Sequence, residues 1–116
     1  MNRISSASCG DLAKFIVKNK RCKRINLSFN SMGNKVIRAI MLSLEQNSTM
    51  KVINLAANDL SDDCAETFFK HESEMRKMQI MKINLLLNDL SEKVKDKLLY
   101  FVTNRLSAAI NIEVDK

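Results

Sequence analysis

Apolar and polar residues alternate in three short segments that share one pattern. Each segment has isoleucine, asparagine and leucine in succession, beginning at Ile25, Ile53 and Ile83, and Ile110 begins a fourth, shorter segment of the same kind. Apolar residues two positions apart are typical of a strand with one buried face. The pattern therefore predicts four short strands.

A period of three to four residues follows each of the first three strands and predicts a helix. The apolar positions are Val36, Ile37, Ile40, Met41 and Leu44, then Cys64, Ala65, Phe68 and Phe69, then Val94, Leu98, Tyr100, Phe101 and Val102. Ser61 and Ser91 stand where the N-caps of the second and third helices belong. A further helix is predicted over 11–17, and its apolar stripe is Leu12, Phe15 and Ile16.

The turn after each of the first three strands holds an asparagine: Asn30, Asn58 and Asn88. Such a side chain can bond backbone groups of its own turn and of the next one, at positions where an unpaired buried group costs about 1–3 kcal/mol. We therefore expect the asparagines to hold the turns in register.

Strand, turn and helix recur at a nearly constant interval, since successive isoleucines are 28, 30 and 27 residues apart. Strands joined in this order run parallel through right-handed crossovers, and units of this kind must stack to bury their apolar faces. The predicted fold is an α/β solenoid, a short horseshoe with a curved parallel sheet on the concave side and helices on the convex side. We expect a single domain with a helical cap over 1–21, repeats over 22–49, 50–79 and 80–106, and a partial last repeat over 107–116.

The composition is that of an ordinary globular protein, with 46% hydrophobic and 28% charged residues among 116. No run of about 18 apolar residues is present, so we expect no transmembrane segment, and residues 1–8 lack the apolar run of a secretory signal. The three cysteines, Cys9, Cys22 and Cys64, form no Cys-x-x-Cys pair. That pattern favours free thiols in a reducing compartment, which we expect to be the cytoplasm.

The net charge of +6 is unevenly placed, because residues 1–58 hold ten basic residues against two acids. Its densest part is the segment Lys14, Lys18, Lys20, Arg21, Lys23 and Arg24. Nucleic-acid or anionic-membrane binding through this segment is one alternative. The absence of stacking aromatic residues around it disfavours nucleic acid. We prefer a charged cap that steers an acidic partner.

Residues that alternate with the buried strand positions are expected to face outward on the sheet. The candidate partner-binding residues are Lys23, Arg24, Asn26, Phe29, Lys51, Asn54, Ala56, Met81, Asn84, Leu86, Leu87 and Asn111. They form an apolar group and an asparagine row, and the row is better explained by amides that satisfy one another than by a ligand. For Phe29 and Leu87, packing under the next loop is an equal alternative to partner contact.

Catalysis is poorly supported by the sequence. His71 is the only histidine, and Cys64 occupies a small core position that Val36 and Val94 fill in the other units. No Gly-rich phosphate loop or metalloprotease motif is present. We therefore expect a non-enzyme with no cofactor, no metal site and no small-molecule substrate.

The three units fit the template Leu-x-x-Leu-x-Leu-x-x-Asn-x-Leu. The matching residues are Cys22, Ile25, Leu27, Asn30 and Met32, then Met50, Ile53, Leu55, Asn58 and Leu60, then Ile80, Ile83, Leu85, Asn88 and Leu90. On these residues the chain resembles the leucine-rich repeat family, and the interval and following helix resemble its ribonuclease-inhibitor-like subclass. The resemblance implies a protein-binding regulator that covers the active site of a partner enzyme or signalling protein with an acidic surface region.

A weaker resemblance links the small size and the richness in lysine and asparagine to leucine-rich effectors of intracellular bacteria such as Legionella. It implies an effector, or a regulator of effectors, that is delivered into a host cell.

Overall fold

The computed structural model describes residues 9–107 and 109–115. In chain order the elements are helix α1 (Cys9–Lys18), strand β1 (Arg24–Asn26), helix α2 (Lys35–Glu45), strand β2 (Val52–Asn54), helices α3 (Asp62–Lys70) and α4 (Glu72–Met75), strand β3 (Lys82–Asn84), helix α5 (Glu92–Tyr100), a π-helical turn (Phe101–Arg105) and strand β4 (Asn111–Glu113). The α/β class and the alternation of strands with helices are confirmed.

The strands form one parallel sheet in the order β1-β2-β3-β4. Ile25, Ile53 and Ile83 lie side by side at the centres of the first three strands. Their side chains face the helices and join the apolar core, in which Ile53 and Ile83 are buried and Ile25, on the edge strand, is half-buried. Since the polar residues of the strands point the other way, the sheet has one buried and one open face.

The fourth strand pairs in a different register from the predicted one. Ile112, not Ile110, lies beside Ile83, so the last interval is two residues longer than expected. A shift of one residue would exchange the faces of the strand, but a shift of two keeps every side chain on its own face. Ile110 and Ile112 are both buried, and alternation alone could not distinguish the two registers.

The three turn asparagines form a ladder inside the stack, as predicted. The Oδ1 of Asn58 accepts the backbone N–H of Asn30 at 3.0 Å, and the Oδ1 of Asn88 accepts that of Asn58 at 2.9 Å. The Nδ2 of Asn58 donates back to the carbonyl oxygen of Leu27 at 2.8 Å. The amides of Asn58 and Asn88 therefore each join their own turn to the preceding one.

Two residues of the predicted apolar helix stripes are exposed. Phe15 is 47% exposed, because α1 packs through the side that carries Ile16 and Phe15 lies about 100° round the helix from it. Tyr100 is 64% exposed and points away from the buried Leu98, two residues earlier. Both predictions were wrong because Phe15 and Tyr100 lie outside the arc of α1 or α5 that packs against the core.

The two predicted N-caps behave differently. The hydroxyl of Ser91 accepts the backbone N–H of Val94 at 3.2 Å and caps α5, as expected. Ser61 precedes α3, but its hydroxyl accepts the Nδ2 of Asn34 at 2.8 Å instead. Ser61 thus joins two neighbouring units rather than capping its helix. None of the described helices has the length and apolar character needed to cross a bilayer.

Candidate functional site

The open face of the sheet carries most of the predicted site residues. We call this surface, formed by the outward residues of β1 to β4 and the residues that flank them, the outer sheet face. Its two rows across the strands are Arg24, Val52, Lys82 and Asn111, and Asn26, Asn54, Asn84 and Glu113. No described helix covers these rows, so the surface is accessible to a partner.

Large apolar side chains stand exposed at the ends of the strands. Met81 precedes β3 and is 59% exposed, Leu87 follows β3 and is 63% exposed, and Phe29 follows β1 and is 51% exposed. Phe29 and Leu87 have left-handed backbones, with φ of 60° for each. They do not tuck beneath the next loop, so the packing alternative does not hold for them.

The other apolar candidates are less accessible. Leu86 is half-buried, and it also lines a groove of about 620 Å³ between β4 and α5. Ala56 is only 7% exposed and belongs to the interior rather than to the outer sheet face. Ala56 therefore offers little contact area to a partner.

The outward asparagines bond their own strands rather than one another. The Oδ1 atoms of Asn26, Asn54 and Asn84 each accept the backbone N–H two residues further on, at 2.9–3.0 Å. Their Nδ2 groups donate to no residue that the structure describes, so three amide donors face outward in a row. Asn111 lies beside Lys82 rather than beside Asn84, and Glu113 takes the fourth place in the row.

The charged candidate residues differ in whether another described side chain already binds them. Lys23 and Arg24 are exposed and form no ion pair within the described part of the chain. The Nζ of Lys51 donates to the Oε1 of Gln79 at 3.1 Å. An ion pair that was not predicted joins Lys82 to Glu113, which lie diagonally on neighbouring strands. That pair depends on the register of β4, so only the correct pairing could have revealed it.

The rest of the basic segment lies away from the sheet. Lys14 and Lys18 are on the exposed side of α1, and Lys20 and Arg21 follow that helix. The Nζ of Lys20 donates to the carbonyl oxygen of Val17 at 3.5 Å. The segment is thus divided between the helix layer and the edge of the sheet.

Cys64 and His71, the two residues considered for catalysis, lie in surroundings that indicate structural roles. Cys64 is fully buried, and loss of hydration, with a smaller effect from Asp62 and Asp63, raises the pKa of its thiol to about 12. The Nδ1 of His71 lies 2.8 Å from the carbonyl oxygen of Thr67. The described residues contain no cluster of His, Cys, Asp or Glu that could hold a metal ion.

Solved structures that share this fold include actin-binding site 2 of leiomodin-1, with a TM-score of 0.74 and 12% identity over 97% of this chain and 65% of that chain. They also include the C-terminal domain of tropomodulin from Caenorhabditis elegans, with a TM-score of 0.69 and 15% identity over 92% of this chain and 64% of that chain. The chain spans less than two thirds of the length of either. At this identity the likeness shows the fold alone. No family model and no curated protein sequence matches the chain.

The family prediction was wrong. The chain is not assigned to the leucine-rich repeat family or its ribonuclease-inhibitor-like subclass, because the matching structures are leiomodin and tropomodulin domains and no family model matches. Alternating strand residues followed by an amphipathic helix are needed in any stack of parallel strand–helix units, so the pattern reports architecture rather than ancestry. The resemblance to Legionella effectors falls with it, while delivery into a host cell is untested and stays a prediction.

Proposed function

We propose that the chain is a non-catalytic module that binds another protein through the outer sheet face. The observation that carries this proposal is the exposure of Phe29, Met81 and Leu87 at the ends of β1 and β3, beside the sheet rows that no described helix covers. Large apolar side chains exposed together mark interaction surfaces. In the same proposal the stacked units form a short solenoid, and the outer sheet face is its concave wall.

The distribution of charge suggests how a partner is oriented. Lys23 and Arg24 lie at the β1 end, while Met81 and Leu87 bracket β3. A fitting partner sets an acidic edge against β1 and apolar side chains against β3, so that charge directs the approach and apolar burial supplies most of the affinity. An enzyme or signalling protein whose working site is covered in this way would be inhibited.

The surroundings of Cys64 and His71 support the non-catalytic part of the proposal. A thiol with a pKa of about 12 is protonated at neutral pH and is a poor nucleophile. Cys22 and Cys64 are free thiols, which fits a reducing compartment such as the cytoplasm.

Actin is the first named partner to test. One of the structures with the same fold is an actin-binding site of leiomodin-1, so this architecture can present a protein-binding surface. The proposal for the outer sheet face stands on its exposed side chains and holds for a different partner as well.

The decisive experiment replaces Met81 and Leu87 by glutamate in one variant. Because both side chains are buried in the proposed contact, a new charge at each end of β3 should weaken binding at least about a hundredfold, since each buried unpaired charge costs several kcal/mol. Binding is measured by co-sedimentation with purified actin and by affinity capture of partners from cell lysate, with identification by mass spectrometry.

The matched control is Tyr100→Glu at the end of α5, where the side chain is 64% exposed and lines a pocket formed by residues of α3, α4, α5 and the π-helical turn, none of them in the sheet. This variant should bind partners as the unaltered chain does, and all proteins should give the same circular dichroism spectrum. A partner captured equally by the Met81→Glu/Leu87→Glu variant and by the unaltered chain would show that the outer sheet face is not the binding surface.

A further inference from the structure

A second exposed surface lies in the helix layer, at the N-terminal end of the stack. Helices α1 and α2 pack side by side, and a groove of about 330 Å³ runs between them. The apolar side chains that line it are Ala13, Val17, Ala39 and Leu42. Lys14 and Lys18 of α1 line the same groove. We call this surface the α1–α2 groove.

Two large apolar side chains project beside these lysines. Leu42, on α2, is 45% exposed and lines the groove, and Phe15, on α1, is 47% exposed. Phe15 shares the exposed side of α1 with Lys14 and Lys18. The surface therefore combines apolar tips with flanking cations, as interfacial amphipathic helices do.

The charge of this surface is strongly positive. Its exposed cations, on α1, on α2 and just after α1, are Lys14, Lys18, Lys20, Arg21, Lys35 and Arg38. None of these residues forms an ion pair with any residue in 9–107 or 109–115. The acids on the two helices are Asp11 and Glu45 alone. The six cations thus outnumber these two acids by four, and no described residue holds any of the six in an ion pair.

We propose that the α1–α2 groove docks on an anionic phospholipid membrane. Phe15 and Leu42 enter the headgroup region, and the lysines on the rim of the groove contact lipid phosphates and carboxylates. Anionic lipids attract clusters of four to eight Lys and Arg residues on amphipathic helices. The side chains of Phe15 and Leu42 add apolar area that is buried in the membrane.

A nucleic acid is the other polyanion that such charge could attract. Binding to single strands relies on several stacked aromatic side chains, whereas Phe15 is the one aromatic residue of α1 and α2, and none lines the groove itself. Binding to a duplex would use the cations and leave Phe15 and Leu42 in water. A lipid surface uses both the charge and the apolar tips, and for that reason it is the partner we infer.

The test is co-sedimentation of the full chain with vesicles of phosphatidylcholine alone or with about one third phosphatidylserine. The chain should bind only the anionic vesicles, and binding should fall steeply between about 0.1 M and 0.5 M NaCl. Replacing Lys14 and Lys18 by glutamate together should weaken binding about tenfold or more. Phe15→Ala with Leu42→Ala should weaken it several-fold while circular dichroism stays unchanged, since both side chains are exposed.

The matched control replaces Lys93 and Lys97 on α5, two exposed lysines at the same spacing, by glutamate. This control, and the Met81→Glu/Leu87→Glu variant of the outer sheet face, should bind vesicles like the unaltered chain. Failure of the unaltered chain to bind anionic vesicles would overturn the proposal. So would an equal loss of binding in the α5 control, or tighter binding to single-stranded RNA that ignores the Phe15→Ala/Leu42→Ala change.

Discussion

At the scale of single residues, the fold depends most on buried amides. Asn58 is completely buried and bonds to backbone groups of Leu27, Asn30 and Ala56. The outward Asn26 is the same residue type one row away, but it is exposed and its Oδ1 serves only Ser28. Identical side chains therefore have different energetic weight, according to how many backbone groups they satisfy and how far water is excluded.

Replacing Asn58 by alanine should lower the free energy of unfolding by about 3 kcal/mol. Buried backbone groups lose the amide that they are hydrogen-bonded to, and water cannot reach them to replace that amide. Replacing Asn26 by alanine, as the control, should lower it by less than about 1 kcal/mol. Urea unfolding followed by circular dichroism measures both. Equal losses in the two variants would show that the ladder does not hold the turns.

At the scale of elements, the ends of helices are joined by ion pairs that cross between units. The guanidinium of Arg105, in the π-helical turn, donates from Nε and Nη2 to the carboxylate of Glu72, at the start of α4, at 2.8 and 2.9 Å. Arg76 adds an ion pair to the same carboxylate at 3.2 Å. The hydrogen bonds from Arg105 have the largest effect and lower the pKa of Glu72; lost hydration opposes them, and the charges of Arg105 and Arg76 add smaller lowering effects.

Glu72 should make stability fall in acid. Because its pKa is lower in the folded chain than the usual 4.5, its stabilising effect is complete above pH 4.5 and is lost as the pH falls through the folded value. In Glu72→Gln the thermal unfolding midpoint should therefore depend less on pH below 4.5 than in the unaltered chain. The control, Glu66→Gln, changes an exposed acid of α3 that forms no ion pair with a described residue, and it should leave the slope unchanged. An unaltered slope in Glu72→Gln would count against the role of this pair.

The elements were predictable because alternation and helical period are local properties of the chain. The central isoleucines Ile25, Ile53 and Ile83 identified three strands and their pairing without error. The register of β4 was not predictable, because Ile110 and Ile112 satisfy the same alternation. The pattern also left open whether Phe29 and Leu87 are exposed. Both have a left-handed backbone, which neither residue type favours and which the sequence does not indicate. The function of the site could not be predicted from the repeats, because a repeat pattern determines the scaffold and not the ligand that it binds.

At the scale of the whole molecule, stability is unevenly shared among stacked units. Strands β2 and β3 have a neighbour on both sides, whereas β1 and β4 each pair with one described strand. In such a stack every unit is stabilised by its own packing and by its interfaces with neighbours. The central interface should therefore be the last part to open.

Amide hydrogen exchange can test this order on three equivalent bonds. The backbone N–H groups of Leu27, Leu55 and Leu85 each donate across one interface of the sheet, at 2.8, 2.8 and 2.9 Å. The N–H of Leu55 should exchange about tenfold more slowly than that of Leu85, which lies beside the last strand. NMR-detected exchange measures the three rates in one sample. The same rate at all three would mean that the chain opens only as a whole.

The turn asparagines have a consequence for building longer chains. The joint between the first and second turns and the joint between the second and third turns are the same, since the Oδ1 of Asn58 and that of Asn88 each accept the backbone N–H of the preceding turn asparagine. A duplicate of residues 53–82 spliced in after Lys82 would repeat this joint between turns at its new boundary. Lengthening the chain would then require a new design only for the helix layer, where α3 would pack against a copy of itself.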